Sequence, residues 1–283
     1  LKSSGFLLRA AQEGDMRAIE ECIKANFDIN KESEIGESAL MFACANGNVE
    51  TAKLLIDNGA QVDKENQLRK TALTFACEKG YVKTAKLLID KGADVNKDTN
   101  LDEFKKGWTA LMLACERGYV KTAKLLIDSG AQVDKQNIDG ETALILACEK
   151  GYLKTAKLLI GKGVNVDKEN TAGETALMLA ACKRGYVKTA KILIDKGADV
   201  DKEDKDGWTA LMYTMKWDRH YEIAKILMDK GANLYVKDRT GKTVYDMADE
   251  KIKKEVLDRI RNDLDRCKEI LKGLSESKDW SEE

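Results

Sequence analysis

Five of the seven cysteines recur at nearly constant spacing, and their pattern is the first in the sequence that could indicate chemistry. They are Cys44, Cys77, Cys115, Cys148 and Cys182. Thiolates bind zinc when they converge on one point, usually from closely spaced pairs. Thiols in the same slot of successive packed helices would instead lie ~8–10 Å from their neighbours, beyond the reach of a disulfide. We therefore predict a ladder of buried packing residues, and free thiols of this kind favour the cytoplasm.

Other residue types that carry out catalysis are scarce. The single histidine, His220, lies in an irregular stretch without a repeated acid or nucleophile beside it, so we expect it on the surface or partly packed. Segment 204–207 resembles part of a calcium loop, but Lys202 and Tyr213 stand at the ends of that loop in place of acidic ligands. There is no glycine-rich phosphate loop. The sequence predicts no catalytic residue, no metal site and no cofactor.

The charge of the chain is almost balanced. It carries 48 basic and 49 acidic side chains, for a net charge of −1. Recurrent lysines are interleaved with acids, so we expect neither a nucleic-acid partner nor binding to an anionic membrane. No apolar run approaches the ~18 residues that a membrane-spanning helix needs. A composition with 34% charged residues and no proline predicts helices that bury one face and solvate the other.

A triplet of the form Thr-Ala-Leu marks an internal repeat that must position all these residues. Including variants at both ends, it begins at Ser38, Thr71, Thr109, Thr142, Thr175, Thr209 and Thr243, in steps of 33, 38, 33, 33, 34 and 34 residues. Threonine is suited to cap a short helix, which a glycine then ends. A second amphipathic helix and a polar loop complete each unit. Because one unit cannot bury its apolar face alone, neighbouring units must stack.

These units resemble the ankyrin repeat family over about residues 5–272. The family's Thr-Pro-Leu-His-x-Ala motif corresponds to residues 142–147, and its Gly-Ala-Asp-Val-Asn to residues 92–96. Alanine replaces the motif proline throughout, and the motif histidine is replaced, by methionine in several units. The hydrogen bond that this histidine provides in the family is therefore expected to be lost. The resemblance implies an all-α ankyrin-repeat solenoid of about eight helix-loop-helix units with short β-turn or hairpin fingers.

The repeats also set the expected domain organisation. We predict one domain at 1–274, with an N-terminal capping repeat at 5–35, six internal repeats at 36–240 and a C-terminal capping repeat with its helix at 241–274. We expect that helix to end near Leu271 and residues 275–283 to form a flexible tail. A monomer is expected.

The resemblance further implies a function. Members of the family usually bind protein partners on the concave surface formed by the fingers and the first helices. The leading hypothesis is a non-enzymatic scaffold or adaptor for a protein partner. The alternatives are a regulatory or inhibitory subunit that occludes an enzyme's active site and, with less support, an enzyme of unknown type.

Positions that depart from the repeat are free to serve a partner. The candidates are Leu68, Lys70, Phe104, Trp108, Ile138, Glu141, Glu174, Lys205, Trp208 and Trp217. Trp108 and Trp208 fill a slot that holds Glu or Lys in other units, so each is either a contact anchor or packed against a neighbouring finger. Phe104 lies in the insertion at 98–106, and such insertions often project on the binding face of a solenoid. Trp217 belongs to the irregular seventh unit.

Overall fold

The computed structural model describes residues 2–102, 106–182, 185–215 and 220–277, without the side chains of 2–4 and 271–277. Within this part of the chain, helices follow one another in pairs, and the pairs stack in order along the sequence. The predicted all-α solenoid of helix-loop-helix units is confirmed. No helix among the described residues is both long and apolar enough to cross a membrane.

The first helices of the eight pairs form one layer of the stack. They are α1 (Lys2–Glu13), α3 (Ala39–Ala45), α5 (Ala72–Lys79), α7 (Ala110–Glu116), α9 (Ala143–Glu149), α11 (Ala176–Cys182), α13 (Ala210–Met215) and α15 (Val244–Met247). Neighbours in this layer approach more closely than neighbours in the other layer. The small side chains along these helices, alanine and cysteine, permit that approach. A stack that is tighter on one side curves toward that side, so the first helices line the concave face.

The second helices form the other, convex layer. They are α2 (Met16–Lys24), α4 (Val49–Asp57), α6 (Val82–Asp90), α8 (Val120–Asp128), α10 (Leu153–Ile160), α12 (Val187–Asp195), α14 (Tyr221–Asp229) and α16 (Glu250–Ser277). Each of the internal ones buries an alanine and a leucine against the first helices and turns its lysines outward. The hydrophobic core is therefore one continuous layer of small and branched side chains between the two layers of helices.

Side-chain caps explain why the first helices begin where they do. The Thr71 hydroxyl accepts a hydrogen bond from the backbone N–H of Thr74, and Thr74 Oγ1 accepts one from the N–H of Thr71 at 2.8 Å. In other units a methionine sulfur takes the second role, as where Met112 Sδ lies 3.5 Å from the N–H of Thr109. The residues that replace the motif histidine thus still accept a hydrogen bond from the cap, and the expected loss does not occur in these units.

The insertion after the third unit folds into the one two-stranded hairpin of the described chain. Strand β1 (Asp98–Thr99) pairs antiparallel with β2 (Trp108–Thr109), with Thr99 opposite Trp108. The extra residues lengthen the finger, since the chain has to return to the same threonine cap that starts every first helix. Trp108, in the second strand of this hairpin, is 2% exposed.

An aromatic side chain covers a glycine of the preceding unit at each internal step of the stack. The covering residues Tyr81, Tyr119, Tyr152 and Tyr186 each start a second helix, and they lie over Gly47, Gly80, Gly118 and Gly151. His220 occupies the same slot over Gly185 and is buried. The expectation of a surface or partly packed histidine was wrong, because the His220 ring packs over a glycine in the position that tyrosine occupies in the other units. Burial lowers the pKa of His220 and keeps the ring neutral.

Ion pairs link successive second helices across the convex face. Lys91 Nζ lies 2.6 Å from Asp57, and Lys162 Nζ lies 2.8 Å from Asp128 two units further along. Lys230 Nζ makes the equivalent contact with Asp195 at 3.5 Å. Between these, position 161 carries glycine where the other units carry aspartate, so Lys196 lacks the acid that this row of contacts provides elsewhere.

We expect Gly161→Asp to stabilise the protein by about 0.5 kcal/mol, because it removes a flexible glycine with helical backbone angles (φ −64°) and gives Lys196 an acid. Urea denaturation at low salt and in about 1 M NaCl measures the effect, with Gly161→Ala as the matched control. At low salt the aspartate variant should have a higher free energy of unfolding than the alanine variant, and this difference should disappear in about 1 M NaCl. The difference between the alanine variant and the wild type should not depend on salt. Equal salt dependence of both variants would show that no ion pair forms.

The last helix continues beyond the stack. In α16, Ile252 and Val256 are buried against the solenoid. The helix runs to Ser277, past the expected end at Leu271, and so includes the first three residues of the predicted tail. Residues 278–283 lie outside the described chain.

Candidate functional site: the concave protein-binding surface

The fingers form a continuous row because each one bonds to the finger before it. The backbone N–H of Gln67 donates to the Ile35 carbonyl at 3.2 Å, and that of Thr171 donates to the Asp139 carbonyl at 2.8 Å. Equivalent bonds run from Asn100 to Leu68, from Ile138 to Lys106, from Lys205 to Ala172 and from Arg239 to Asp206. The fingertips are therefore held in a fixed order along one edge of the concave face.

An Asn or Asp side chain closes most of these fingers. Asn66 Oδ1 accepts hydrogen bonds from the N–H groups of Leu68 and Lys70 at 3.0 and 2.9 Å. Such turns are a local preference of Asn and Asp. The same role is taken by Asn137, Asn170, Asp204 and Asp238. With its polar groups satisfied inside the turn, each finger presents the next one or two side chains outward.

The exposed fingertips are apolar at the start of the row. Ile35 is 53% exposed, Leu68 37% and Ile138 59%. Further along, the tips carry Thr171, Lys205 and Arg239, which are polar or charged and exposed. Two of the predicted contact residues, Leu68 and Ile138, thus lie at apolar tips, and Lys205 lies at a charged one.

Beside the apolar tips, two phenylalanines line a groove on the first helices. Phe42 and Phe75 are half-buried, in the helical position where later units have a fully buried leucine. Together with Met41, Tyr81 and the polar residues Gln12, Glu37, Asn46 and Lys79 they line a cavity of 410 Å³, called here the N-terminal groove. Sequence reasoning missed both phenylalanines, although phenylalanine in a leucine slot of only two units was a visible departure from the repeat.

Lys70 borders the N-terminal groove. Its ammonium group lies 3.0 Å from Glu78 Oε2 and 5.5 Å from the centre of the Phe75 ring. Arg117 contacts the other oxygen of Glu78 at 3.2 Å. The predicted contact residue Lys70 is therefore held in place by a carboxylate and an aromatic ring at the edge of the apolar surface.

The two tryptophans of the shared slot have different environments. Trp108 lies in strand β2 and is buried, so of the two roles considered for it, packing is the one that its burial supports. Trp208 is half-buried and meets Tyr213 edge to face, with ring centres 5.4 Å apart. The five-residue insertion explains the difference, because the unit that contains Trp208 has a short finger.

Around Trp208 the concave surface combines aromatic rings with carboxylates. The Tyr213 hydroxyl donates to Asp204 Oδ2 at 2.7 Å and lies 3.1 Å from Glu174 Oε1. Burial, followed by these carboxylates, raises the pKa of Tyr213, so the phenol stays neutral. Trp208 and Tyr213 line a second cavity of 490 Å³ with exposed Asp206 and Arg239, called here the C-terminal groove.

The two predicted glutamates support fingers. Glu141 Oε2 accepts a hydrogen bond from Asn137 Nδ2 at 2.8 Å, and Glu174 Oε2 accepts one from Asn170 Nδ2 at the same distance. Both side chains are half-buried at the finger base. The remaining two candidates, Phe104 and Trp217, lie outside the described residues.

The repeated cysteines do not supply chemistry to this surface. Four members of the predicted ladder, Cys44, Cys77, Cys115 and Cys148, are fully buried, and burial strongly raises the pKa of each thiol. The prediction was wrong for Cys182, which is half-buried because it comes one residue later after its threonine and Ala181 fills the buried slot. Among the described residues, no group of three His, Cys, Asp or Glu side chains is placed to hold a metal ion. None of the seven cysteines, all of which are described, forms a disulfide.

Thiol labelling should separate the cysteines by burial. We expect exposed Cys267 to react with Ellman's reagent at once and half-buried Cys182 more slowly. The five buried thiols should react only when the chain unfolds. In the folded protein the reagent cannot reach them, and their raised pKa keeps them from forming the reactive thiolate. Counting released thionitrobenzoate in native buffer and in denaturant checks this. Rapid reaction of more than two thiols in the native protein would contradict the buried ladder.

The repeat architecture and its row of fingers match those of known proteins. The family model described as "Ankyrin repeats (3 copies)" matches residues 7–99, 96–170 and 155–238, which is most of the chain. The chain belongs to the ankyrin repeat family. Its fold is similar to that in the crystal structure of the human ASB11 ankyrin repeat domain, with 25% sequence identity and a TM-score of 0.70 over 80% of this chain and 98% of that one. The comparison with curated proteins gave no match.

Membership of the family bears on function at a coarse level. Ankyrin repeats are generally protein–protein interaction modules and are typically not catalytic. In this ankyrin chain the apolar fingertips are exposed, the N-terminal groove is lined largely by the first helices of the early units, and the C-terminal groove belongs to the last units.

Proposed function

We propose that this ankyrin protein is a non-enzymatic scaffold or adaptor that binds a protein partner along its concave surface. The observation that carries the proposal is the set of incompletely buried apolar side chains in the first units, where Ile35 and Leu68 are exposed on fingertips and Phe42 and Phe75 are half-buried on the first helices. Contiguous exposed apolar side chains bordered by charged ones are typical of interaction sites.

The two grooves indicate how a partner would lie. The N-terminal groove offers aromatic rings and a bordering ammonium group, and aromatic side chains commonly carry much of the energy of an interface. The C-terminal groove offers Trp208 among Asp206, Arg239 and Lys242, which suit polar contacts at a rim. Both grooves combine aromatic rings with polar side chains, so a partner segment that alternates apolar and polar side chains would complement both.

Balanced charge and free thiols support the rest of the proposal. With ion pairs distributed over the convex lysine-bearing helices, we favour a protein over a nucleic acid or an anionic membrane as partner. We also propose a reducing compartment, the cytoplasm, because the thiol ladder serves packing and not cross-linking.

Site-specific photo-crosslinking tests the proposed surface. Benzoylphenylalanine placed at Leu68 or Ile138 should capture a specific protein, because both side chains are exposed on fingertips. The matched control is the same group at Lys124, an exposed residue of convex helix α8. Equal capture from Lys124, or capture from Lys124 alone, would contradict a concave binding site.

A further inference from the structure

The C-terminal helix leaves the solenoid part-way along its length. Arg259 holds it to the stack through a contact of 2.6 Å with Asp229 of α14, and Glu255 of the same helix lies 3.0 Å from the Arg259 guanidinium. From residue 261 to residue 270 every side chain is exposed. At 1.5 Å per residue, the part of α16 beyond Ile260 extends about 25 Å from that point.

This projecting helix carries an apolar stripe with the spacing of a coiled coil. Alternating steps of three and four residues connect Leu257, Ile260, Leu264, Cys267, Leu271 and Leu274. These are the a and d positions of a heptad pattern. Leu264 is 56% exposed, and neighbouring Ile270 is 55% exposed. A short helix with no contacts gains little stability of its own, so a stripe of this kind is best explained by a packed partner helix.

The stripe continues the face that docks on the solenoid. Val256 is buried and Ile260 is partly buried against the core, whereas Leu264 further along the same stripe is exposed. Beyond Ile260 the a and d positions that are described, Leu264 and Cys267, are therefore exposed and open to a second helix.

The charged residues beside the stripe favour pairing with a second copy of the chain in parallel orientation. Asp263 occupies a g position and Lys268 the following e position. In a parallel pair, g of one chain faces the following e of the other, so two Asp263–Lys268 contacts form. In an antiparallel pair centred on the same stripe, Lys268 would face Lys268, which is unfavourable. Lys268 is exposed and contacts Asp265 of its own helix at 3.1 Å, a contact that leaves its ammonium group able to take a second carboxylate.

We propose that two copies of this protein associate through a parallel coiled coil of the projecting segment of α16, residues 261–277. This interface lies outside the concave surface and does not depend on the proposed function. It replaces the monomer expected from the repeats alone. Because only about two heptads are available, the dissociation constant is expected on the order of tens of micromolar.

Sedimentation equilibrium under reducing conditions tests the association. Wild-type protein should pass reversibly from monomer to dimer at concentrations up to about 500 µM. Leu264→Lys should remain monomeric, whereas Glu269→Lys, which introduces the same side chain at the outward f position, should dimerise like the wild type. Both substitutions are at exposed sites and should leave thermal unfolding of the solenoid unchanged. A monomer at every concentration, or a dimer unaffected by Leu264→Lys, would overturn the proposal.

A charge swap tests the orientation. Asp263→Lys should weaken dimerisation roughly fivefold or more by facing two lysines across the seam, and so should Lys268→Asp by facing two aspartates. The double variant Asp263→Lys/Lys268→Asp should restore the wild-type constant, because it reverses both members of each pair. Failure of the double variant to recover would overturn the parallel arrangement.

Cross-linking gives an independent readout. Cys267 is at a d position, where a parallel pair places the two thiols side by side. Mild oxidation should give a covalent dimer of the wild type and none of Cys267→Ser. Cys267→Ser/Glu269→Cys carries its thiol on the outside of the pair and should cross-link far more slowly. Equal rates from positions 267 and 269 would contradict the assigned seam.

Discussion

Replacing Gly151 by alanine should destabilise the protein by about 2–4 kcal/mol, the largest effect expected for a single methyl group in this chain. The backbone at Gly151 has φ +72°, which is unfavourable for any residue with a Cβ atom. An added Cβ would also run into the ring of Tyr186, which lies over this glycine. Steric exclusion between consecutive units therefore adds to the cost of the backbone conformation.

A second glycine in the same unit separates the two contributions. Gly163 has φ +78°, but no atom of a neighbouring residue lies within 4 Å of the place that a Cβ atom would take there. Gly163→Ala should cost only about 1 kcal/mol, the backbone part alone. Urea denaturation of both variants gives the difference. Equal destabilisation by the two variants would show that the Tyr186 ring can move away from Gly151 at no free-energy cost. The contact between this ring and Gly151 would then not be tightly packed.

Replacing both phenylalanines of the N-terminal groove by leucine should weaken partner binding about ten- to hundredfold. Leucine is the residue that later units carry in this slot, as at Leu113, so the fold tolerates it and the unfolding free energy should change little. What the double variant Phe42→Leu/Phe75→Leu removes is the aromatic surface open to a partner. Isothermal titration with the captured partner measures the loss.

The control for this experiment is Phe6→Leu. Phe6 is an exposed phenylalanine of α1 that does not line the N-terminal groove, and the chemical change is the same. It should leave the dissociation constant unchanged. Undiminished binding by the double variant would show that the groove is not where the partner binds.

Much of the fold is predictable from the sequence because the repeat imposes it. The steps between Thr-Ala-Leu triplets give the number of units, and threonine caps such as Thr71 give the starts of the first helices. The burial of Cys77 and its equivalents follows from their constant place in those helices. In each case a local preference and a periodic environment indicate the same structure.

Exposure within a slot is harder to predict than the slot itself. Trp108 and Trp208 share one position in the repeat. Trp108, in the finger with the five-residue insertion, is buried, whereas Trp208, in a finger without it, is half-exposed. Phe42 and Phe75 show the reverse: they fill a position that is buried in later units and remain partly open. The determining contacts come from neighbouring units, which a single repeat does not encode.

The end of the chain shows a different kind of miss. We expected the last helix to end near Leu271 and a flexible tail from residue 275, but the backbone stays helical to Ser277. The heptad spacing around Leu264 was present in the sequence. It became informative only when the structure showed that the first part of the helix is docked and the rest is exposed.

Hydrogen–deuterium exchange of the protein with and without its captured partner tests the central claim most directly. We predict that the partner slows exchange in the fingers at 33–37 and 66–70 and in helices α3 and α5, which form the apolar end of the concave surface. Exchange in the convex helices α4, α6 and α8 should be unchanged. Protection confined to those convex helices, with the fingers unaffected, would contradict the account.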